Sequence, residues 1–167
     1  MEIIVKDSEL RAAAAEGVEA FAELVKDKIV SAAGGTLNAE AMAALSPTQV
    51  TLWAYFILRN EVMDGGFIQL IYNGYGPFFF KNPFAKALRQ WGVERLPQLV
   101  RKGQRLFEKY GTEICRDCTD EEFMAMFEQY PQFDELDDEF VEIEEETTAH
   151  IARYVDEHLE DFVKVES

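Results

Sequence analysis

The sequence predicts an all-α protein whose 167 residues form a single domain. Apolar residues recur every three or four positions through most of the chain, which is the spacing of one helix face. No stretch alternates apolar and polar residues for long enough to indicate a strand. The length fits one domain at roughly 100 to 200 residues each, and a hydrophobic fraction of 48% argues against disorder despite the high charge.

The N-terminal part contains three predicted helices. The first extends from a cap at Asp7 or Ser8 to Ile29, with its apolar residues on one face. A glycine pair ends it, and a short helix follows over residues 38–44. The Ser-Pro pair at 46–47 then indicates the start of a longer helix, because proline is favoured in the first turn.

A corner is predicted within Asn60–Gly76, where paired glycines separate two apolar helical patterns. Gly65 and Gly66 lack a Cβ, so they permit a positive φ and a close approach of backbones. Polar residues in this apolar setting need hydrogen-bond partners, since an unpaired buried polar group costs about 1 to 3 kcal/mol. The predicted structural motif consists of Glu61, Asp64, Gly65, Gly66, Phe67, Gln69 and Asn73.

The C-terminal part is also predicted to be helical. One helix opens at Asn82-Pro83 and another spans Leu96 to Tyr110. Thr119 and Glu122 have the spacing of a capping box at the start of a third. In the last segment, residues three or four apart form one buried stripe. The stripe comprises Leu136, Phe140, Ile143, Thr147, Ile151, Tyr154, His158 and Phe162.

The net charge of −16 is confined to one part of the chain. Residues 1–119 carry 14 acidic and 14 basic residues, whereas residues 120–167 carry 18 acidic residues and two basic ones. Segment 81–116 is basic, with nine basic and three acidic residues. The acidic C-terminal third (120–167) would repel nucleic acid and membrane surfaces and attract basic partners.

The corner is also the first candidate for chemistry. Glu61 and Asp64 would suit general acid/base catalysis, with Gln69 or Asn73 as an orienting amide. The local sequence supplies no nucleophile and no histidine, which catalysis would require within reach. A structural use is therefore favoured, in which Glu61 binds backbone groups or pairs with a base such as Arg59.

Cysteine and histidine residues give a weak indication of a metal or redox site. Cys115 and Cys118 have the C-x-x-C spacing of redox dithiols and of half a zinc site. A redox motif is expected beside a βαβ unit, and this sequence predicts none. His150 and His158 are eight positions apart, which is too far for the usual zinc spacing of three to five. Neither histidine follows a glutamate by three positions, as a di-iron bundle would need. The prediction is two partly buried thiols, with no metal and no cofactor.

The acidic third is the remaining candidate site. On a helix, a group of one or two carboxylates per turn recurs about every 5.4 Å along the axis, and phosphates of a B-DNA strand recur about every 3.4 Å of rise. Since apolar stripe residues interleave with the acids, the charged surface should be ordered. Such a surface could occupy a protein that reads phosphates with Lys and Arg.

The corner sequence supplies a family resemblance. Residues 61–69, EVMDGGFIQ, followed by Asn73 and Gly74, resemble the signature of an all-helical bacterial family first catalogued as a domain of unknown function and typified by an acidic DNA-mimic protein. Asp64 stands where an Asn is expected. The resemblance implies an all-α fold and, for the mimic members, binding to a helix-turn-helix type transcription factor. The binding activity of the mimic members belongs to their acidic surface and not to the corner motif. Similarity in the motif therefore supports the fold more strongly than it supports the function.

Together these observations predict a cytoplasmic, non-enzymatic DNA mimic that sequesters a basic DNA-binding protein, either a transcription factor or a nucleoid protein. It would contact neither nucleic acid nor membrane directly, and a homodimer is compatible with the sequence. One alternative is an immunity or antitoxin-like protein that caps a basic toxin. Another is an enzyme with Glu61 as general base. The predicted partner-binding residues are Glu135, Asp138, Glu139, Glu142, Glu145, Glu146, Asp156 and Glu160.

Overall fold

A computed structural model describes residues 1–81 and 83–167. These residues form nine α-helices and two short strands, which confirms the all-α prediction. Their contacts group into a first unit, Met1–Ile57 with Glu146–Ser167, and a second unit, Leu58–Glu145. The prediction of a single domain stays a prediction.

The first unit contains the chain termini and most of the N-terminal helices. It also includes the first part of the helix Pro47–Tyr72, the last part of the helix Gln132–Glu157 and a 3-10 turn at Leu159–Asp161. Its elements, with α4 and α9 given in full, are β1 (Ile4–Lys6), α1 (Asp7–Glu16), α2 (Val18–Ala32), α3 (Ala39–Ala44), α4 (Pro47–Tyr72), α9 (Gln132–Glu157) and β2 (Lys164–Glu166).

The strands β1 and β2 were not predicted. They pair in parallel, with Val5 opposite Val165, and Val5 is buried. Three residues are too few to show the alternation by which a strand is recognised in a sequence. The pairing of residues near opposite ends of the chain can be seen only in the fold.

The helix predicted from Asp7 to Ile29 is divided in two at Gly17. Gly17 has φ 144° and ψ 170°, a combination open essentially to glycine alone. Its N–H donates to the carbonyl oxygen of Ala13 at 3.2 Å, which closes α1. Apolar spacing continues through the break, so the periodicity alone indicated one helix.

The predicted start at Ser46 and Pro47 is confirmed by a reciprocal cap. The Gln49 N–H donates to Ser46 Oγ at 3.2 Å, and the Ser46 N–H donates to Gln49 Oε1 at 2.9 Å. Gln49 is buried and its amide also donates to the carbonyl oxygen of Phe162 at 2.8 Å. The start of α4 is therefore anchored within the first unit.

The second unit contains the remaining helices and the C-terminal part of α4 with the N-terminal part of α9. The predicted helices near Pro83 and over Leu96–Tyr110 are both present, although Asn82 lies outside the described residues. The helix from Gly76 to Lys81 was missed, because its glycines and proline read as breaks. The other helices are α5 (Gly76–Lys81), α6 (Phe84–Gln90), α7 (Arg95–Ile114) and α8 (Asp120–Gln129).

The predicted corner is a kink in α4. Gly65 (φ −142°, ψ 17°) and Gly66 (φ 73°, ψ −177°) depart from helical geometry. A Cβ placed on Gly66 would collide with the carboxylate of Asp137 in α9. The glycine therefore allows both the backbone conformation and the approach of an acidic side chain.

Within the second unit, α7 lies close to α5 and α9 because a glycine faces them. A Cβ added at Gly103 would lie 2.8 Å from the ring of Phe80 and 3.9 Å from Leu136 Cδ1. Close packing at this position brings the basic residues of α7 near the acidic residues of α9. Two ion pairs between described residues join α7 and α9.

Candidate protein-interaction surface

The N-terminal half of α9 presents acidic side chains on one face. Its apolar stripe is buried in the second unit, with Leu136, Phe140 and Ile143 each at most 4% exposed. Helical spacing places exposed acidic residues on the opposite face. These residues, named the acidic row from here on, are Asp134, Glu135, Asp138, Glu142 and Glu145.

The acidic row is dense and only lightly neutralised. From Asp134 to Glu145 it spans about 16 Å of helix axis at about 1.5 Å per residue. Glu142 Oε1 lies 3.8 Å from Arg95 Nη2 of α7. The other four members form no ion pair with residues that the structure describes. Most of the charge of the row is thus open to solvent.

The structure exposes seven of the eight residues predicted for the partner-binding surface. Four of the seven belong to the acidic row. Glu146, Asp156 and Glu160 are exposed in the first unit. Glu139 is half-buried, with its carboxylate oxygens 3.0 and 3.2 Å from Lys102 Nζ. The binding role of all eight residues stays a prediction.

The sequence predicts that the acidic residues of the last helix lie off the apolar stripe, and this prediction is wrong for Glu144. This residue is buried, and Arg59 Nε donates to its Oε1 at 2.6 Å. Position 144 follows Phe140 by four residues and precedes Thr147 by three, so helical spacing already placed it on the stripe. The buried charge is tolerated because a guanidinium lies beside it.

Asp137 is a second acidic residue with a structural contact, and it was not singled out from the sequence. Its Oδ1 accepts the N–H of Phe67 at 2.8 Å, where α4 resumes after the kink. Burial raises the pKa of Asp137 to about 6, the Phe67 hydrogen bond opposes this rise, and the charges of Asp134 and Asp138 add to it. No local signal reveals a contact across 70 positions of sequence.

The polar residues of the corner bind one another across the kink. Glu61 precedes the glycines, and its Oε2 accepts from Gln69 Nε2 at 2.8 Å and from Asn73 Nδ2 at 2.9 Å. Gln69 also donates to Asp64 Oδ2 at 3.0 Å. The expected bonds to backbone are replaced by bonds between side chains. This cluster joins the two segments of α4, and Phe67 beside it is fully buried.

Helix α8 adds acidic residues to the second unit. Its predicted capping box is confirmed, since the Glu122 N–H donates to Thr119 Oγ1 at 3.1 Å and the Thr119 N–H donates to Glu122 Oε1 at 3.2 Å. Asp120, Glu121 and Glu128 are exposed on the same helix. Acids in the first turn also suit the positive end of the helix dipole.

The cysteine and histidine residues are exposed or half-buried. Cys115 is exposed and Cys118 half-buried, so the prediction of partly buried thiols is correct for Cys118 only. His150 and His158 are half-buried, so His158 is less buried than its place on the predicted stripe implied, and it lies just after the end of α9. His158 Nδ1 lies 2.9 Å from the carbonyl oxygen of Tyr154, and the two rings stack.

Residues 1–81 and 83–167 contain neither a candidate metal site nor a helix that could span a membrane. No group of three or more His, Cys, Asp or Glu residues has an arrangement that could hold a metal ion. None of the helices described is long and apolar enough to cross a bilayer.

Sequence comparison identifies the relatives of this chain. Residues 43–158 match the family model described as DMP19-like protein. The chain is also 33% identical over 128 residues to the DNA mimic protein DMP19 of Neisseria meningitidis serogroup B (strain ATCC BAA-335 / MC58). That alignment covers 75% of this chain and 77% of the relative. The family match includes the corner and the acidic row, and the extent of both matches shows that the chain belongs to the DMP19-like family.

Proposed function

We propose that this protein is a DNA mimic, a non-enzymatic binding protein that sequesters a basic DNA-binding protein through its acidic C-terminal residues. The acidic row of α9 is the centre of the proposed surface in the second unit. The partner would be a transcription factor or a nucleoid protein, held by its DNA-contacting cations. The family relative named as a DNA mimic supports the assignment.

The observation that carries the proposal is the spacing of the row. Five carboxylates over about 16 Å correspond to one about every 4 Å along the helix axis. Phosphates of one B-DNA strand recur about every 3.4 Å of rise. A protein surface whose Lys and Arg side chains are spaced to meet successive phosphates can therefore meet successive carboxylates of the row.

The electrostatic setting favours the same kind of partner. The second unit carries 18 acidic and 10 basic residues, a net charge of −8. A field of one sign attracts an oppositely charged partner and raises the association rate. The complex should weaken as salt rises, because the Debye length falls from about 10 Å at 0.1 M to about 3 Å at 1 M.

Affinity capture from a bacterial cytoplasm, followed by a DNA competition assay, tests the proposal. Basic DNA-binding proteins should be recovered, and added duplex DNA should displace them from the immobilised protein. A triple variant of the row, Glu135→Gln, Asp138→Asn and Glu145→Gln, should lose most of this capture. Each substitution removes a charge and keeps the size of an exposed side chain.

A matched control separates the row from net charge in general. Glu16→Gln, Glu40→Gln and Glu108→Gln also remove three exposed carboxylates, none of them in the C-terminal third. This control should retain most of the capture. Equal losses in both triple variants would show that the row has no special role, and a captured partner that duplex DNA cannot displace would contradict mimicry.

The same capture distinguishes the proposal from an immunity or antitoxin-like function. In that case the recovered partner would be a basic toxin, and duplex DNA would compete only if the toxin itself binds DNA. The exposed row attracts both classes of partner. The identity of the captured protein and its displacement by DNA therefore decide between the two functions.

A further inference from the structure

Two basic side chains of α7 hold acidic residues at the edge of the proposed binding face. Lys102 Nζ lies 3.0 Å from Glu139 Oε1 and 3.2 Å from Glu139 Oε2. Arg95 Nη2 lies 3.8 Å from Glu142 Oε1. All four residues belong to the second unit, and Arg95, Lys102 and Glu139 line a small cleft together with Leu99 and Ile143.

We infer that Arg95 and Lys102 are built-in counterions that lower the affinity of the acidic face by competing with the partner's cations for Glu142 and Glu139. This inference rests on the proposed function. A partner that reaches either carboxylate must displace a cation that is already present. The remaining members of the row, which have no such competitor among the described residues, would then carry the main contacts.

The exposure of these pairs makes the competition effective. The side chains of Arg95 and Lys102 are 53% and 54% exposed, and that of Glu142 is 68% exposed. Exposed pairs are weak enough for an arriving cation to replace them, with double-mutant couplings that correspond to a factor of roughly 1.4 to 5 in an equilibrium constant. The pairs therefore tune binding without preventing it.

Helix α7 supplies its own control for the effect of net charge. Arg101 and Arg105 are exposed on the same helix, and neither forms an ion pair with a described residue. Replacing them with Gln changes the charge of the protein as much as replacing Arg95 and Lys102 does. Any excess effect of the second replacement measures the local competition.

The test uses a fluorescent oligolysine peptide as the probe and the full chain as the receptor. Fluorescence anisotropy should show tighter binding for the Arg95→Gln, Lys102→Gln variant, by a factor of about 1.4 to 5 for each pair released. The Arg101→Gln, Arg105→Gln variant should show a smaller gain. The charge-preserving Arg95→Lys, Lys102→Arg variant should bind the peptide like the unmodified protein. If Arg95 and Lys102 acted only through the shape and packing of their side chains, this variant would not need to retain the original affinity.

Two results would overturn different claims. If both Gln variants bind the peptide equally, the counterion inference is wrong, whereas the proposed function is untouched. If the triple variant of the acidic row binds the peptide as well as the unmodified protein does, the row is not the cationic partner's site. The row variants and the α7 variants are therefore measured in one series at two salt concentrations.

Discussion

The contact between Gly66 and Asp137 gives the sharpest test of how the kink holds α9. Gly66 has φ 73° and ψ −177°, a region essentially restricted to glycine, in which another residue is strained by about 1 to 3 kcal/mol. A methyl group here would also collide with the Asp137 carboxylate. That carboxylate would move away and lose its hydrogen bond to the Phe67 N–H.

We therefore expect Gly66→Ala to lower the free energy of unfolding by about 2 to 4 kcal/mol. Backbone strain accounts for most of this loss, and a lost helix cap adds about 1 kcal/mol. Urea unfolding followed by circular dichroism measures it. Gly74→Ala is the matched control, since Gly74 has φ 89° but no neighbouring atom within 4 Å of an added Cβ. The control should lose about 1 kcal/mol through strain alone.

A double-mutant cycle with Asp137→Ala isolates the contact. In the Asp137→Ala background the carboxylate is already absent, so Gly66→Ala should cost only the backbone strain. The two substitutions should then be less than additive by about 1 kcal/mol. The reasoning is refuted if Gly66→Ala costs no more than Gly74→Ala, or if the two losses in the cycle simply add.

Three further predictions concern buried or capping groups. Because the pKa of Asp137 is raised from 3.8 to about 6, the folded state favours its protonated form over its charged form, and the free energy of unfolding should fall as pH rises through 4 to 6. Relative to Asp137→Asn, the unmodified protein should gain about 1 kcal/mol in the free energy of urea unfolding when the pH is lowered from 7.5 to 5, after a discount for partial solvent exposure. Arg59→Met should cost about 3 to 5 kcal/mol in thermal unfolding, since Glu144 would remain buried beside an apolar side chain, and recovery of stability in Arg59→Met, Glu144→Leu would support this cause. Thr119→Ala should cost about 1 kcal/mol through loss of the capping box, and an unchanged midpoint would show that α8 does not depend on it.

Much of the helical structure could be predicted because its signals are local. Thr119 and Glu122 are three residues apart, and Ser46 lies beside Pro47, so capping chemistry is visible in a short window. The stripe of α9 repeats often enough to identify the buried face. The break between α1 and α2 at Gly17 was not predicted, because a single glycine within a periodic pattern is also compatible with a continuous helix.

The candidate surface was predictable in part. Charge confinement to residues 120–167 and helical spacing together indicated that Glu135, Asp138, Glu142 and Glu145 would be exposed. The ion pairs of Glu139 and Glu142 with α7 were not predictable, since Lys102 is 37 residues away from Glu139 in the sequence. Which acids are neutralised depends on which helices meet, and that follows from close packing at Gly103.

The sequence by itself determined the helical class, the kink at Gly65 and Gly66, and the concentration of charge near the C-terminus. These features depend on residues that are close together in the sequence, through periodicity, glycine conformational freedom and composition. They can therefore be recognised without knowledge of the fold. Only the tertiary structure decided that Asp137 caps the resumed helix at Phe67 and that Glu144 is buried against Arg59. Those contacts join residues 70 and 85 positions apart in the sequence. Which distant residues meet depends on how the helices pack, and the local sequence does not contain that information.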